Sequence, residues 1–114
     1  MPNANSEIRT MIYLQVTFNL EAQDVVRFED FYAEKFLPVI REHGFVAVGI
    51  FKTLVGRAGE VTEIWKFESL ADYEHKWKAL MSDPRLQEIF ETTGPMVKEE
   101  SFKLMESVSF CEAP

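Results

Sequence analysis

The sequence predicts a single α+β domain whose elements run β-α-β-β-α-β, and three observations predict it. The apolar period switches from two to 3.6 and back along the chain. Glycine, proline and capping residues fall at the switches. The 114 residues, 46% of them hydrophobic and ten of them Phe, suffice for one packed core.

Met11 to Phe18 alternates, with Ile12, Leu14, Val16 and Phe18 on one side and Tyr13, Gln15 and Thr17 on the other, which describes a strand. From Ala22 to His43 the residues Val25, Phe28, Tyr32, Phe36, Val39 and Ile40 fall on one helical stripe. Pro38 lies inside it and lacks the N–H that the carbonyl of Glu34 needs, so the helix should bend or break there. Gly44 supplies a left-handed stop, and His43 suits the helix C-terminus. Phe45 to Thr53 is nearly all apolar, a strand expected to be covered on both faces. Gly56 and Gly59 then mark a hairpin connection into a third strand, Glu60 to Phe67. Ser69 with Asp72 three residues on reads as an N-cap with an acidic N3, opening a helix through Leu70, Tyr73, Trp77, Leu80 and Met81. Asp83-Pro84 restarts a helix, Gly94-Pro95 stops it, and Ser101 to Phe110 is the last strand.

Two β-α-β halves with right-handed crossovers give a ferredoxin-like, four-stranded antiparallel sheet of order 4-1-3-2 with its helices on one face. The domain is expected to span residues 11–110, between a loose N-terminal tail over residues 1–10 and a short tail over 111–114. Strands 2 and 4 are apolar on both sides, so the face without helices should meet a second copy of the chain in a homodimer, sheet against sheet.

The formal net charge is −7 and the basic residues are scattered, which disfavours nucleic acid and an anionic membrane as partners. The longest apolar run is far short of the roughly 20 residues of a membrane span. A single cysteine, Cys111, rules out an intrachain disulfide. The polar first ten residues lack the apolar stretch of a signal, and a cytoplasmic protein is the expectation. No metal-ligand spacing, phosphate-binding loop or nucleophile elbow is visible, so neither a metal nor a cofactor is expected.

Glu63 and Glu106 stand in otherwise apolar strand faces, where a carboxylate needs a partner or a raised pKa. Each reads either as a base or ligand-orienting group, or as a strand-end carboxylate in water or beside a Lys or Arg. Trp65 shares the Glu63 face and serves either as core or as a stacking surface. His75 titrates near neutrality and is the other candidate for proton transfer, although its helical position points away from the apolar stripe. Tyr73 falls on that stripe as core or pocket wall. Tyr13 and Gln15 occupy the less apolar face of strand 1; beside Glu63 and Trp65 they would make a site with two polar tips and two aromatic rings.

The stretches "FLPVIREHGFVAVGIFKTLVG" and "EVTEIWKFESLADYEHKWKALMSDPRLQ" resemble the NIPSNAP family. There, a helix with an internal proline leads through a basic residue, x, His-Gly into a glycine-bearing strand, and a Trp-bearing strand and an Asp-Pro turn follow. The resemblance covers about residues 11 to 110 and implies a dimeric α+β barrel. The wider group includes cofactor-independent, quinone-forming monooxygenases and haem-degrading enzymes, some with Glu-x-Trp on the third strand and a histidine early in the next helix. Glu63-Ile64-Trp65 fits that pattern, with His75 one residue late. Together these readings give the expectation of a homodimer that binds a small apolar or aromatic ligand, through Tyr13, Gln15, Trp65 and Tyr73, or a partner. Its alternatives are an oxygenase acting on an electron-rich aromatic, with Glu63 or His75 as base, and haem binding through His75.

Overall fold

Alternation and capping translate directly into the elements of the structure, a computed structural model that describes residues 10–114. Strand β1 (Ile12–Leu20) is followed by a 3₁₀ turn (Ala22–Asp24) and a helical run in three parts. These are α1 (Val25–Phe31), a π-helical segment (Tyr32–Phe36) and α2 (Leu37–Glu42). Strands β2 (Val46–Lys52) and β3 (Glu60–Phe67) form a hairpin; α3 (Leu70–Met81), α4 (Pro84–Thr93) and β4 (Val97–Glu106) complete the chain. The expected N-terminal tail lies, but for Thr10, outside the described residues.

The interruption of the first helix falls beside Pro38. Proline offers no N–H to the preceding turn and its ring crowds it. The chain widens that turn, with the Leu37 N–H donating to the Tyr32 carbonyl five residues back. Gly44 follows at φ +83°, the left-handed stop that ends α2. Ser69 Oγ accepts from the Asp72 N–H at 3.0 Å and caps α3, and Asp83 Oδ1 accepts from the Arg85 N–H at 2.9 Å and caps α4. His43, at the end of α2, is tied by Nε2 to Asp83 Oδ2 at 2.8 Å, which joins the first helical run to the start of α4.

The sheet is antiparallel in the order β2-β3-β1-β4, the arrangement expected from the sequence read from its other edge. Pairing of Leu14 with Trp65 and Leu104, and of Val16 with Glu63 and Phe102, sets which side chains share a face. The helix-covered face carries Ile12, Leu14, Val16, Phe18, Trp65 and Phe67, all buried, against Phe28, Tyr32, Val39, Ile40, Leu80, Leu86 and Ile89 from the helices. Burial of each such side chain contributes about 1.5–3 kcal/mol.

Two strand readings are revised. The last strand begins at Val97, directly after the Gly94-Pro95 stop, and ends at Glu106, so Val108 and Phe110 lie beyond it and are exposed. The expected two-sided cover of β2 is not supplied by the chain itself: Val46 is 52% and Phe51 54% exposed. On β4, Phe102 and Leu104 are likewise exposed. Ser107 exchanges backbone and side-chain hydrogen bonds with Met11, and Lys66 Nζ reaches the Pro114 carbonyl oxygen at 3.1 Å, so the C-terminal segment runs back over the helix-free face.

Candidate functional site

Between the sheet and the helices lies a cavity of about 310 Å³. Its floor is Leu14, Val16 and Trp65, and its walls come from the π segment (Tyr32, Phe36), from α3 (Trp77, Leu80, Met81) and from Phe90 of α4. Against this apolar lining stand a few polar groups: Glu63, the Tyr32 hydroxyl, Thr93 and, on the β4 side, Glu100. A concave, mostly apolar space with a small number of convergent polar groups is the usual form of a small-molecule site.

Glu63 is the group that turns this space into a site. It is 6% exposed, on the helix side of the central strand β3, because strand alternation puts it on the same face as Trp65 and Phe67. Trp65 Nε1 donates to Glu63 Oε1 at 3.0 Å. Burial pushes the Glu63 carboxyl above the usual carboxylate range; the Trp65 bond and the nearby Tyr32 hydroxyl offset part of that rise. Tyr32 Oη approaches the carboxylate without the geometry of a hydrogen bond and has no other partner. Burial, reinforced by the negative charge of Glu63, drives the Tyr32 phenol far above its ordinary range. Arg41 acts weakly in the opposite sense.

A second cavity of about 250 Å³ lies toward β2, lined by Phe28, Ile50, Phe51, Lys52 and Val61. Glu63 and Tyr32 line this one too, so with Phe28 they form the wall between the two spaces. The widened helical turn carries both Tyr32 and Phe36 into the larger cavity.

Glu100 borders the same cavity from β4, on the helix-covered face two residues before Phe102 and beside an irregularity in the strand. Between the Thr17–Ser101 and Asn19–Lys98 pairs, Glu99 and Glu100 stand opposite Phe18 alone, a β-bulge. Glu99 takes φ +50°, a conformation that costs a non-glycine residue on the order of 1 kcal/mol or more. Its carboxylate is gripped outside by Arg57 at 2.7 and 2.9 Å, while Glu100, itself exposed, stands at the cavity rim beside Phe102. Partial burial raises the Glu100 carboxyl, and its charge adds to the rise at Glu63.

The register corrects the grouping read from the sequence. Tyr13 pairs with Lys66 and Gln15 with Ile64, so both lie on the helix-free face, opposite to Glu63 and Trp65. Directly paired residues share a side, and the partners of Trp65 and Glu63 on β1 are Leu14 and Val16. Tyr13 is nonetheless buried, and its hydroxyl has no hydrogen-bond partner. Tyr73 packs between Phe67 and Trp77, with ring centroids at 5.2 and 5.8 Å, and does not line the cavity. His75 is exposed on the outer side of α3, apart from Glu63. Glu106 is exposed at the end of β4. Among the described residues no group of His, Cys, Asp and Glu could hold a metal ion, and no helix is long and apolar enough to cross a membrane.

Sequence reasoning placed Tyr32 on the apolar stripe and missed its polar role. It did not single out Glu100, which sits in the charged run Lys98-Glu99-Glu100.

This sheet order, with helices on one face, defines a ferredoxin-like α+β protein. The NIPSNAP family profile matches residues 13–112, and the chain belongs to the NIPSNAP family. A NIPSNAP family protein of unknown function from Agrobacterium tumefaciens is 24% identical, with a TM-score of 0.81 over 89% of this chain and 91% of that one. An uncharacterized NIPSNAP domain protein from Burkholderia xenovorans is 18% identical, with a TM-score of 0.82 over 90% of this chain and 99% of that one. A Nitrosomonas europaea protein provisionally described as an antibiotic biosynthesis monooxygenase is 13% identical, with a TM-score of 0.60 over 85% of this chain and 88% of that one. At these identities the likenesses speak for the fold. Among curated proteins none matches the chain.

Proposed function

We propose that this NIPSNAP protein binds a small apolar or aromatic ligand in the cavity between sheet and helices, with Glu63 orienting its polar end. The observation that carries this reading is a buried carboxylate, held by the Trp65 indole, at the wall of an otherwise apolar space of about 310 Å³. A carboxylate there costs free energy that a core residue would not. A ligand that hydrogen-bonds to it recovers part of that cost. Each protomer would present such a cavity within a homodimer formed through the helix-free faces, where Val46 and Phe51 are exposed. Tyr13 and Gln15 would then belong to the dimer seam rather than to the ligand.

The elevated proton affinity of Glu63 favours a second reading, cofactor-independent oxygenation of an electron-rich aromatic. In it Glu63 removes a phenolic proton inside a dry cavity, and the resulting anion reacts with oxygen. His75, exposed on the far side of α3, takes no part, and the haem alternative that rested on it finds no support from its position. One experiment separates the two readings. Oxygen uptake is recorded with small hydroquinones for the wild type and Glu63→Gln, alongside ligand affinity. Binding without uptake supports the first reading. Uptake lost on Glu63→Gln supports the second, and neither binding nor uptake rejects both.

A further inference from the structure

The charged groups lining the cavity are all of one sign. Glu63 and Glu100 bring two carboxylates, Tyr32 brings a buried hydroxyl oxygen without a hydrogen-bond partner, and no Lys, Arg or His is among the lining residues. Around them stand aromatic rings, with Trp77 and Phe102 in an edge-on contact at 5.8 Å on the Glu100 side. Faces of aromatic rings attract cations, and carboxylates do so more strongly. An anionic occupant would meet two like charges, with only the Tyr32 and Thr93 hydroxyls and the Trp65 N–H as donors, the last already engaged with Glu63.

Resting on the binding reading above, we propose that the cavity selects its occupant by charge: the ligand is an apolar or aromatic amine. Its ammonium lies between Glu63 and Glu100 and donates to the free Tyr32 oxygen. Glu100 is the residue of β4 that adds this selectivity. Strand alternation from Phe102, the partner of Val16, puts it on the helix-covered face opposite Phe18, and the extra residue of the bulge falls beside it at Glu99. Glu99 is held from outside by Arg57.

The test is a matched series of probes that differ only in the head group: phenylbutylamine, phenylbutanol and phenylbutyrate, titrated calorimetrically into the intact protein near neutral pH. The amine should bind at least about tenfold tighter than the alcohol, the equivalent of ~1.4 kcal/mol. Phenylbutyrate should bind more weakly than the alcohol. Glu100→Gln, on the cavity rim where folding is least at risk, should bring the amine-to-alcohol affinity ratio to within about threefold of unity. Equal binding of amine and alcohol to the wild type would overturn the charge selection while leaving apolar binding intact. An amine preference that survives Glu100→Gln unchanged would overturn the role of Glu100. Absence of binding by all three would overturn the underlying reading together with this one.

Discussion

The Trp65–Glu63 hydrogen bond can be weighed by a double-mutant cycle. Trp65→Phe removes the indole donor but keeps an aromatic ring in a position that is 2% exposed. Glu63→Met removes the acceptor and its charge at similar length. A buried hydrogen bond to a carboxyl group is worth roughly 1.5–3 kcal/mol, and the smaller ring adds about 1–2 kcal/mol of lost packing, so Trp65→Phe should cost roughly 2–4 kcal/mol. Glu63→Met should cost much less, because it abolishes the burial of a carboxylate while stranding one indole N–H. The coupling between the two changes, read from urea unfolding near neutral pH, should come out at about 1–3 kcal/mol. A coupling within about 0.3 kcal/mol of zero would refute a direct bond between these groups. The pH dependence adds a check of sign. The Glu63 carboxyl binds its proton more tightly when folded than when unfolded, where its value is near 4.5. Wild-type stability from this group is therefore fully present below that value and is lost as pH rises through the higher folded value. Each unit of elevation corresponds to about 1.36 kcal/mol. The advantage of Glu63→Gln over the wild type should grow from acid to neutral pH; an advantage that shrinks instead would contradict the raised carboxyl.

Asp83 shows the opposite behaviour. Its carboxyl is held well below the usual range by Arg85 first and by His43 second, so its contribution is present above the ordinary aspartate value and fades as pH falls. Asp83→Ala, which removes the α4 cap and the His43 tie together, should lower the urea midpoint clearly at neutral pH and less near pH 3; equal loss at both would contradict this. Sheet-to-sheet association predicts a dimer at micromolar concentration in sedimentation equilibrium, burying on the order of 1,600 Å². Val46→Lys with Phe51→Lys should weaken it by about 100-fold or more, since each side chain loses about 1.5–3 kcal/mol of burial. A wild-type monomer, or a dimer indifferent to both changes, would reject that interface. Gly59→Ala should destabilise the protein by more than about 1 kcal/mol, because φ is +84° and the added carbon would overlap the Leu20 carbonyl. Unchanged unfolding would show the hairpin free to adjust.

Most of the fold was legible because it rests on local signals. Strand β3 follows from the alternation of Val61, Glu63, Trp65 and Phe67, and helices α3 and α4 from the caps Ser69 and Asp83. The break in the first helix followed from Pro38 alone, although a π turn as its form did not. The site was legible only in part. Glu63 and Trp65 could be joined because they are two apart on one strand, whereas the neighbours of β1 depend on inter-strand register. A shift of one residue exchanges Tyr13 and Gln15 for Leu14 and Val16. Glu100 was hidden for a related reason. Its face depends on how β4 pairs with β1, and the adjacent bulge carries Glu99 at positive φ instead of a glycine, so no residue type announced it.

The central claim, a ligand cavity whose polar end is Glu63, has a direct reporter in the Trp65 indole N–H bonded to that carboxylate. Its resonance can be followed by nitrogen–proton correlation spectroscopy while phenylbutylamine is added. The account predicts a progressive, saturable shift of the Trp65 indole signal. Accompanying backbone changes should concentrate at Tyr32, Trp77, Phe90 and Glu100 around the cavity. An indole signal that stays still to millimolar probe, or changes gathered on the helix-free face around Tyr13 and Ile64, would contradict it.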